Sequence, residues 1–508
     1  MQTSLFLLPT EMLVGILQRL KVGDILSCAA TCRRLHTVIT DSVQLQYEVE
    51  LFAAGMFDGA WGPDTLPIQD RRDRLQRYTI AWERLVWTNQ ISLPHLTGFA
   101  VPVSVSGDVF ILSKIDSRAA SVHVQQIPSA LRAVDESHIV QFFPKDSPIF
   151  SAQLDSSQDL LVAVNGHPGP SMTKLHVRSL STGEAHPRAG VHGFTQEMVS
   201  PGAGVREVCG DFLLDMITSP GGATTPTLRN WTTGFIEATA MTVRFARPIF
   251  LDTQHILYTA AGSGRDASDR ARLCVTSLVP GRHGPAESYL YSFSLPEFLL
   301  YDVAFVDSRT STLETGPAPH GCFYSDPADR LISIELIYIN WTSKFIIDVP
   351  SRTLTQYIAA HPAAPGEPAV LVPWDAWGAH GARVTAYSVH SPMWWAVSGS
   401  RRATVSPRPG ATDSETILTV LDYSLRRVAR AVARGTENVV HESDVAAEHM
   451  REGFGELHTL LPCIATDIPV PDSMAGEGFR VSLCENGVLF ATCEGRRNII
   501  RDAWAYTI

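Results

Sequence analysis

The chain has little that would bind it to a membrane or crosslink it. No apolar run in its 508 residues approaches the roughly 18 residues of a membrane span. Met1–Leu8 lacks the basic residues that begin a secretory signal. The eight cysteines form no C-x-x-C pair and no zinc-type quartet, and a chain of this length does not need a disulfide framework. We therefore expect reduced thiols, a cytoplasmic and/or nuclear location, and no membrane partner.

Positive charge is also scarce. Lys and Arg number 41 against 52 Asp and Glu, which gives a formal net charge of −11, and charged residues make up only 18% of the chain. General binding to a phosphate backbone needs clustered Lys and Arg, so we expect no nucleic-acid partner. The hydrophobic fraction of 45% is typical of a globular protein, and a chain of this length can bury a sizeable core.

Motifs for catalysis and cofactor binding are missing as well. The sequence has no G-x-S-x-G elbow, no G-x-x-x-x-G-K-[ST] loop and no H-E-x-x-H helix. His441-Glu442 is followed by a histidine only at position 449, which is the wrong spacing for two ligands on one helical face. We predict no catalytic residues, no metal and no cofactor.

One basic run stands out in this acidic chain. It consists of Arg426, Arg427, Arg430 and Arg434. Such a run could be a targeting or phosphate-binding patch. A solvated loop or short helix is the more usual explanation.

A helical pattern is present over residues 5–50. Pro9 suits the first turn of a helix, and Glu11 follows where negative charge is favoured. Apolar residues then recur at helical spacing, Asp24 is a good N-cap for a second helix, and Arg33–Ile39 forms a third helical stretch. About 40 residues cannot bury this much apolar surface alone, so the rest of the chain or a partner must cover it.

The same segment resembles an F-box. The matching residues are Leu8-Pro9-Thr10-Glu11-Met12-Leu13, Ile16-Leu17, Leu20, Asp24-Ile25, Cys28 and Thr31-Cys32-Arg33-Arg34-Leu35. The resemblance implies a three-helix module at residues 1–50 that docks onto the Skp-type adaptor of a cullin–RING ubiquitin ligase. The adaptor-binding residues it implies are Leu8, Pro9, Glu11, Leu13, Ile16, Leu17, Leu20, Asp24, Ile25, Cys28, Cys32 and Leu35. The alternative is that these helices pack only on the rest of the chain.

Residues 51–95 are predicted to form linker helices. Asp70–Trp87 has the pattern of one amphipathic helix, with an apolar stripe made of Leu75, Tyr78, Trp82, Leu85 and Val86. Its first turns carry Arg71, Arg72, Arg74 and Arg77. These arginines could contact nucleic acid, but a solvated helix face is the simpler interpretation because acidic residues are interspersed with them.

From residue 96 onward, just over twenty short β-runs alternate with turn residues, which predicts a sandwich, barrel or propeller. Internal similarity favours the propeller, because His123-Val124-Gln125 is echoed by His176-Val177-Arg178, and Arg178–Gly183 by Arg229–Gly234. The anchors of the repeat recur about every 50 to 60 residues, at Ile127, Leu180, Trp231, Phe293 and Trp341. Over residues 96–508 this period gives six to eight blades. The Trp-Asp and Gly-His signatures of WD repeats do not recur, so we expect a divergent, WD-repeat-like propeller.

The predicted fold class is therefore α+β and multidomain, with an F-box and linker helices followed by a predominantly β, propeller-like domain. This arrangement resembles fungal F-box proteins with a C-terminal propeller-like region. The resemblance implies a non-catalytic adaptor of an SCF-type ubiquitin ligase, whose propeller recruits an unknown protein substrate for ubiquitination. Two alternatives remain: a ligase-independent F-box scaffold or regulator, and a propeller hydrolase whose N-terminal helices are coincidental.

Overall fold

A computed structural model describes most of the chain. The described residues are 8–59, 66–99, 104–115, 120–143, 149–165, 173–190, 195–198, 204–218, 224–239, 248–260, 271–277, 290–296, 303–310, 313, 321–338, 343–363, 368–388, 394–407, 416–445, 457–470, 478–494 and 499–508. They form N-terminal helices followed by a seven-bladed β-propeller, with eight α-helices in all within these ranges. The predicted fold class is confirmed, and the blade number is seven.

Three short helices form the N-terminal module, and two longer helices join it to the propeller. Their bounds are α1 (Thr10–Leu17), α2 (Val22–Thr31), α3 (Arg33–Asp41), α4 (Val43–Ala54) and α5 (Ile68–Arg84), with the strand β1 (Met56–Asp58) between the last two. Ser42 caps α4 by accepting a hydrogen bond from the Leu45 amide, and Gly55 ends it in the left-handed conformation. These two residues fix where α4 starts and stops.

The first three blades have four antiparallel strands each, in chain order. They consist of β3 (Ser104–Ser106), β4 (Val109–Ile115), β5 (Ala120–Gln126) and β6 (Ser137–Phe143); β7 (Ile149–Asp155), β8 (Leu160–Asn165), β9 (Thr173–Ser179) and β10 (Thr195–Met198); and β11 (Gly204–Cys209), β12 (Phe212–Thr218), β13 (Thr224–Asn230) and β14 (Ile236–Thr239).

A connection within blade 5 adds a strand to blade 4. Blade 4 consists of β15 (Ile249–Phe250), β16 (His255–Ala260), β17 (Arg272–Ser277) and β18 (Tyr291–Ser294), and blade 5 of β19 (Val303–Arg309), β21 (Leu331–Tyr338), β22 (Ser343–Pro350) and β24 (Arg383–Ser388). The connection from β22 to β24 contains α6 (Ser351–Ala360), β23 (Val370–Val372) and α7 (Trp374–Gly381). Strand β23 adds to blade 4 by pairing in parallel with β18, so this connection covers the edge of the preceding blade.

Blade 6 also carries an inserted helix. Its strands are β25 (Trp394–Ser398), β26 (Arg401–Pro407), β27 (Thr416–Asp422) and β31 (Cys463–Pro469), with β28 (Val439–Val440) paired to the end of β31. Helix α8 (Leu425–Ala433) and the hairpin of β29 (Ser443–Val445) and β30 (Leu457–Thr459) lie between β27 and β31. The hairpin contacts β24 of blade 5.

The ring closes through a strand from the linker region. Blade 7 consists of β32 (Phe479–Cys484), β33 (Gly487–Glu494), β34 (Ile499–Thr507) and, at its outer edge, β2 (Asn89–Ser92). Strand β2 is antiparallel to β34, with Asn89 opposite Thr507. The structure thus places residues 89–92, assigned from sequence to the 51–95 linker, inside the propeller. Sequence patterning identifies a strand but not a partner so distant along the chain.

One turn geometry recurs in six blades. The residue directly after the third strand donates its backbone N–H to the carbonyl of the residue directly before the second strand. The pairs are Ile127 and Asp108, Leu180 and Asp159, Trp231 and Asp211, Ser351 and Arg330, Tyr423 and Ser400, and Ile508 and Asn486, with donor–acceptor distances of 2.7–3.0 Å. The predicted anchors Ile127, Leu180 and Trp231 are therefore equivalent. Phe293 is not, because it lies within the outer strand β18, and Trp341 lies outside the described residues.

The hydrophobic cores lie between neighbouring blades. Leu160, Val177 and Trp231 belong to one core between blades 2 and 3, and equivalent clusters join the other neighbours. A further core combines α4 and α5 with blades 6 and 7. The helical module has a separate core made of Leu13, Leu17, Ile25, Leu35, Val38, Ile39 and Leu45.

Candidate functional site: an apolar docking face on the helical module

Helix α1 carries two apolar stripes, and the module's core uses only one. Leu13 and Leu17, one turn apart, are buried at 1% and 3% exposure. Met12 and Ile16, also one turn apart and one position earlier, are 54% and 41% exposed. Side chains four apart lie on the same side of a helix, so α1 presents a second apolar side to solvent. Burial within the module therefore does not explain the presence of Met12 and Ile16.

Two more large apolar side chains of the module are exposed. Leu20, in the turn after α1, is 37% exposed, and Leu26 on α2 is 45% exposed. We call Met12, Ile16, Leu20 and Leu26 the docking face. Leaving these side chains in water forgoes about 1.5–3 kcal/mol for each one that a partner could bury fully.

The structure divides the twelve predicted adaptor-binding residues into three groups. Four are core residues of the module, namely Leu13, Leu17, Ile25 and Leu35. Three are half-buried, namely Leu8, Cys28 and Cys32, and five are exposed, namely Pro9, Glu11, Ile16, Leu20 and Asp24. The core residues hold the three helices of the module together.

Met12 and Leu26 are exposed residues that the sequence prediction left out. The signal for Met12 was present, because Met12-Leu13 and Ile16-Leu17 are adjacent apolar pairs one turn apart. A helix that buries one face needs only one member of each pair. The pairs thus indicated a second face, although the sequence could not show which member was exposed.

The linker helices fix the module to the propeller. The Tyr78 hydroxyl and the Trp82 indole N–H on α5 both donate to the Glu485 carbonyl, at 2.6 and 3.3 Å. Strand β1 pairs with β20 (Phe323–Ser325), which lies between β19 and β21 of blade 5. The buried core shared by α4, α5 and blades 6 and 7 adds to these contacts, so the docking face has a defined position relative to the propeller.

The basic run lies on a short helix, as the second explanation predicted, but most of it is not solvated. Arg427 is buried and donates to the Asp422 carboxylate and to the Ala54 carbonyl at the end of α4. Arg430 pairs with Glu50 of α4 at 3.0 Å, and the Arg426 guanidinium lies 4.2 Å from the centre of the Phe52 ring. Three arginines of α8 thus hold the linker helix, and the fourth, Arg434, is exposed.

Ion pairing sets the electrostatics of this contact. Burial alone would raise the pKa of Asp422, but the guanidinium groups of Arg427 and Arg401 hold it well below its ordinary range. Arg401 also lies over the Trp82 ring at 4.1 Å, a cation–π geometry. The carboxylate stays charged at physiological pH and keeps blade 6, α8 and α5 together.

The arginines of α5 do not all lie on a solvated face. Arg71 is buried and pairs with Asp58 of β1 at 3.2 Å, and Arg74 donates to the Ala130 carbonyl of the propeller. The predicted apolar stripe is buried at Leu75, Tyr78, Trp82 and Leu85, whereas Val86 is exposed because α5 ends at Arg84. Of the four arginines only Arg77 is exposed, so the first turns of α5 do not present a cluster of arginines to solvent.

The buried charged side chains around Arg132 pair with one another and with nearby polar groups. Arg132 is fully buried, pairs with Glu485 at 2.8 Å and donates to Asn486 at 2.6 Å and to the Phe323 carbonyl at 3.0 Å. Asn486 in turn donates to Asp108, whose pKa is raised by burial. These groups join blades 1, 5 and 7, and their hydrogen bonds are directed at one another.

An open cleft of about 250 Å³ lies where the linker meets blades 6 and 7. It is lined by Leu85, Trp87, Ile468, Pro469, Val470, Phe490 and Tyr506. Among the described residues that line it, Tyr506 alone is titratable, and these residues offer no acid–base pair of the kind that hydrolysis requires. Within the described residues, no group of three or more His, Cys, Asp or Glu is arranged to hold a metal ion.

The eight cysteines are all free, six of them buried and two half-buried. Burial raises the pKa of the Cys209 and Cys274 thiols to about 12, which removes the thiolate character that a nucleophile needs. No helix in the described part of the chain is long and apolar enough to cross a membrane.

Comparison with known proteins agrees with the helical module. The family model described as F-box-like matches residues 5–49. These residues are an F-box-like domain, and the structure joins that domain to a seven-bladed propeller. A search of curated proteins gives no match.

Solved structures similar to the chain include several propellers. They include the β-propeller domain of the Trilobed protease from Pyrococcus furiosus, with 8% identity, a TM-score of 0.36 and coverage of 81% of this chain and 98% of that one. The WD40 domain of SCAP from fission yeast has 8% identity, a TM-score of 0.33 and 79% coverage of both chains. Oligopeptidase B from Leishmania major has 8% identity, a TM-score of 0.33 and coverage of 70% and 49%. At these scores the assignment of a propeller rests on the sheet topology of the chain itself.

Proposed function

We propose that this protein is a substrate-recruiting adaptor of an SCF-type ubiquitin ligase. In this proposal the F-box-like domain docks onto a Skp-type adaptor, and the propeller binds a protein substrate. The carrying observation is the docking face, whose four large apolar side chains remain exposed although the module already has a complete core. An apolar centre surrounded by polar residues is the usual composition of a protein interface.

The firm junction between module and propeller supports the same function. An adaptor works by holding a substrate close to a reactive partner, which raises its effective concentration. Such proximity depends on a defined geometry. The burial of Tyr78 and Trp82 against blade 7 and the grip of α8 on α4 provide one. The adaptor itself would perform no chemistry, in agreement with the structural use of the buried charges.

The position of the linker also restricts where a substrate could bind. The turns before the second strands and after the third strands lie at one end of the propeller. At that end, Glu485 contacts α5 and β20 pairs with β1. We therefore place the substrate on the remaining propeller surface.

The test measures binding of the full-length protein to a purified Skp-type adaptor. The variants Met12→Asp and Ile16→Asp place a charge in the proposed interface without altering the module's core. Each should weaken binding by at least about thirtyfold, because a charge buried in an interface costs about 2 kcal/mol or more. Leu371→Asp is the matched control, since Leu371 is 70% exposed on blade 4, and its affinity should equal that of the wild type. Wild-type affinity in both docking-face variants would refute the proposal.

A deletion gives a second arm, and its boundary follows from the structure. Residues 43–50 belong to α4, whose Tyr47 is buried in the core shared with the propeller. Removal of residues 1–42 therefore deletes the module and spares the linker, and it should abolish adaptor binding. Co-purification of a cullin with the wild-type protein separates a ligase subunit from a ligase-independent F-box regulator.

A further inference from the structure

Three histidines from three different elements lie in mutual ring contact beside the ring closure, and His123 and His138 are stacked. His95 lies in the short 3-10 turn Pro94–Leu96, His123 on β5 and His138 on β6. Their ring centres are 5.2 Å apart for His95 and His123, 5.5 Å for His95 and His138, and 5.9 Å for His123 and His138. His123 is buried, whereas the other two are exposed. We call these residues the histidine stack.

A buried glutamine fixes how two of the imidazoles are protonated. The Gln125 amide nitrogen donates to the carbonyls of Gln126 and Ser137. Its oxygen therefore faces the Nε2 atoms of His95 and His123, at 2.8 and 3.3 Å. An amide oxygen only accepts hydrogen bonds, so both imidazoles carry their proton on Nε2. A second proton on either ring would add charge without adding a partner at this contact.

The surroundings of the stack contain positive charge. Phe99 packs against His123 with ring centres 5.4 Å apart, and the Lys114 ammonium of β4 lies 5.6 Å from the Phe99 ring centre. The charged groups acting on His123 are His95 and His138. Within the described residues no carboxylate forms an ion pair with Lys114 or with any histidine of the stack.

The segment under the stack links blade 7 to blade 1. After β2, the Leu93 amide donates to Ala503 and the Gly98 amide to Ile500, both in β34. Leu93, Leu96 and Phe99 are buried in the core between these blades. On the other side, the contact from His95 to Gln125 attaches the segment to β5 of blade 1. Residues 93–99 therefore bridge the two ends of the ring.

We propose that the histidine stack is a pH-sensitive latch that secures residues 93–99 to blade 1. The three rings pack against one another. Imidazole is the side chain whose charge changes in the physiological pH range, and protonation of the two exposed rings would place like charges about 5.5 Å apart. Burial, with smaller contributions from the two neighbouring histidines, lowers the pKa of His123 to about 4, so its ring does not share the added charge. Repulsion then weakens the attachment. The inference is independent of the proposed adaptor function.

Hydrogen exchange of the full-length protein tests the latch. Amide protection of residues 93–99 is measured at pH 7.5 and pH 5.5 and corrected for the intrinsic pH dependence of exchange. Protection should fall at least roughly threefold at the lower pH, the factor for two unit charges 5.5 Å apart screened as in bulk water. The double variant His95→Gln, His138→Gln keeps an N–H donor at both positions and gains no charge, so its protection should be the same at both values.

Two further variants make the test specific. The double variant His95→Lys, His138→Lys fixes two positive charges in the stack and should reproduce the low-pH protection at pH 7.5. His255→Gln changes a histidine that pairs with Asp252 on blade 4 and should behave as the wild type. Equal pH responses in the wild type and the double glutamine variant would overturn the proposal. Full protection of the double lysine variant at pH 7.5 would overturn it too, provided that its thermal unfolding shows a folded protein.

Discussion

At the scale of single residues, Trp231 combines the recurring turn with an inter-blade core. Its side chain is 1% exposed and donates to the Gly210 carbonyl at 2.8 Å. The His186 ring packs against it edge-on at 4.9 Å, and the Arg188 guanidinium lies 5.2 Å from its ring. The Trp231 side chain thus connects the turn after β13 of blade 3 to blade 2.

Trp231→Ala should lower the free energy of unfolding by about 3–5 kcal/mol, because it leaves a large cavity and removes a buried hydrogen bond. Denaturant unfolding followed by fluorescence measures the change. Phe235→Ala, four residues away and 68% exposed, is the control and should stay within about 0.5 kcal/mol of the wild type. Equal stabilities for the two variants would show that Trp231 is not a core residue.

A second residue-scale prediction concerns pH. His176 occupies on β9 the position that His123 occupies on β5, and it bonds the Asn165 side chain at 3.0 Å. Burial lowers the pKa of His176 to about 4, with smaller effects from Arg178 and Lys174. In the unfolded chain His176 gains a proton near pH 6.5, whereas in the folded chain it gains one only near pH 4. The contribution of His176 to stability is therefore complete above pH 6.5 and falls as the pH drops towards 4.

In the His176→Gln variant the free energy of unfolding should drop by roughly 2 to 3 kcal/mol less on acidification than in the wild type, because glutamine does not titrate. The free energy of unfolding at pH 7.5, 6 and 5 gives the slope for the variant and for the wild type. His36→Gln, at an exposed position of α3, serves as the control. A His176→Gln slope equal to that of the wild type would contradict the assignment of a neutral buried ring.

The sequence was most informative about residues that repeat. The echo of His123-Val124-Gln125 in His176-Val177-Arg178 is a true equivalence, and so is that of Arg178 and Arg229, which donate to the carbonyls of Gly183 and Gly234. These contacts are local and therefore readable. The exposure of Met12 and the burial of Arg427 depend on packing between distant segments, which spacing along the chain does not encode.

At the scale of elements, α8 is the insertion with the clearest role. It lies between β27 and β31 of blade 6 and contacts α4. Helices α4 and α5 belong to the same core. The Arg430–Glu50 pair is 19% and 17% exposed, and Glu50 also accepts from Gln76 of α5. Glu50 therefore connects three helices.

Arg430→Glu should destabilise the protein by about 1 kcal/mol, the usual range for a partly exposed ion pair. The swap Arg430→Glu with Glu50→Arg should recover part of the loss, because it restores opposite charges at the same site. A double-mutant cycle by thermal unfolding measures the coupling. Arg434→Glu, at an exposed position of the same helix end, is the control. Additive effects of the two single changes would show that α8 does not hold α4 through this pair.

Element prediction succeeded where hydrophobic period and length agreed. It located the helices of the F-box-like domain and the strand-rich region that follows them. It did not identify α6 and α7 within the strand-rich region, because their burial comes from packing on blades 4 and 5. Phe293 satisfied the repeat spacing while lying in a different strand, which shows that a period of 50 residues does not by itself fix the position within a blade.

At the scale of the whole molecule, the propeller is not separable from its linker at residue 95. Strand β2 completes blade 7, and α5 buries apolar residues of blades 6 and 7 such as Val481 and Phe490. A protein comprising residues 96–508 should aggregate or melt without cooperativity, since it exposes this surface and the edge of β34. Residues 43–508 should melt as the full chain does. Circular dichroism melting of the two fragments tests this, and matching cooperative transitions would contradict it.

The overall architecture followed from the sequence more readily than its connections did. Strand alternation and repeat length were sufficient for a propeller of six to eight blades. The closure by β2, the pairing of β1 with β20 and the transfer of β23 to blade 4 join segments far apart in the chain. None of these three pairings can be predicted from the spacing of neighbouring residues.

The closure of the ring has a consequence for biosynthesis. The contact between Thr88 and Thr507 spans 419 positions, so the linker strand emerges from the ribosome long before β34 exists to pair with it. Contacts between such distant segments form slowly, and unpaired strand edges promote aggregation during that interval. At every stage of synthesis before β34 is made, the nascent chain carries an F-box-like domain attached to an open ring, and folding helpers would act on this intermediate.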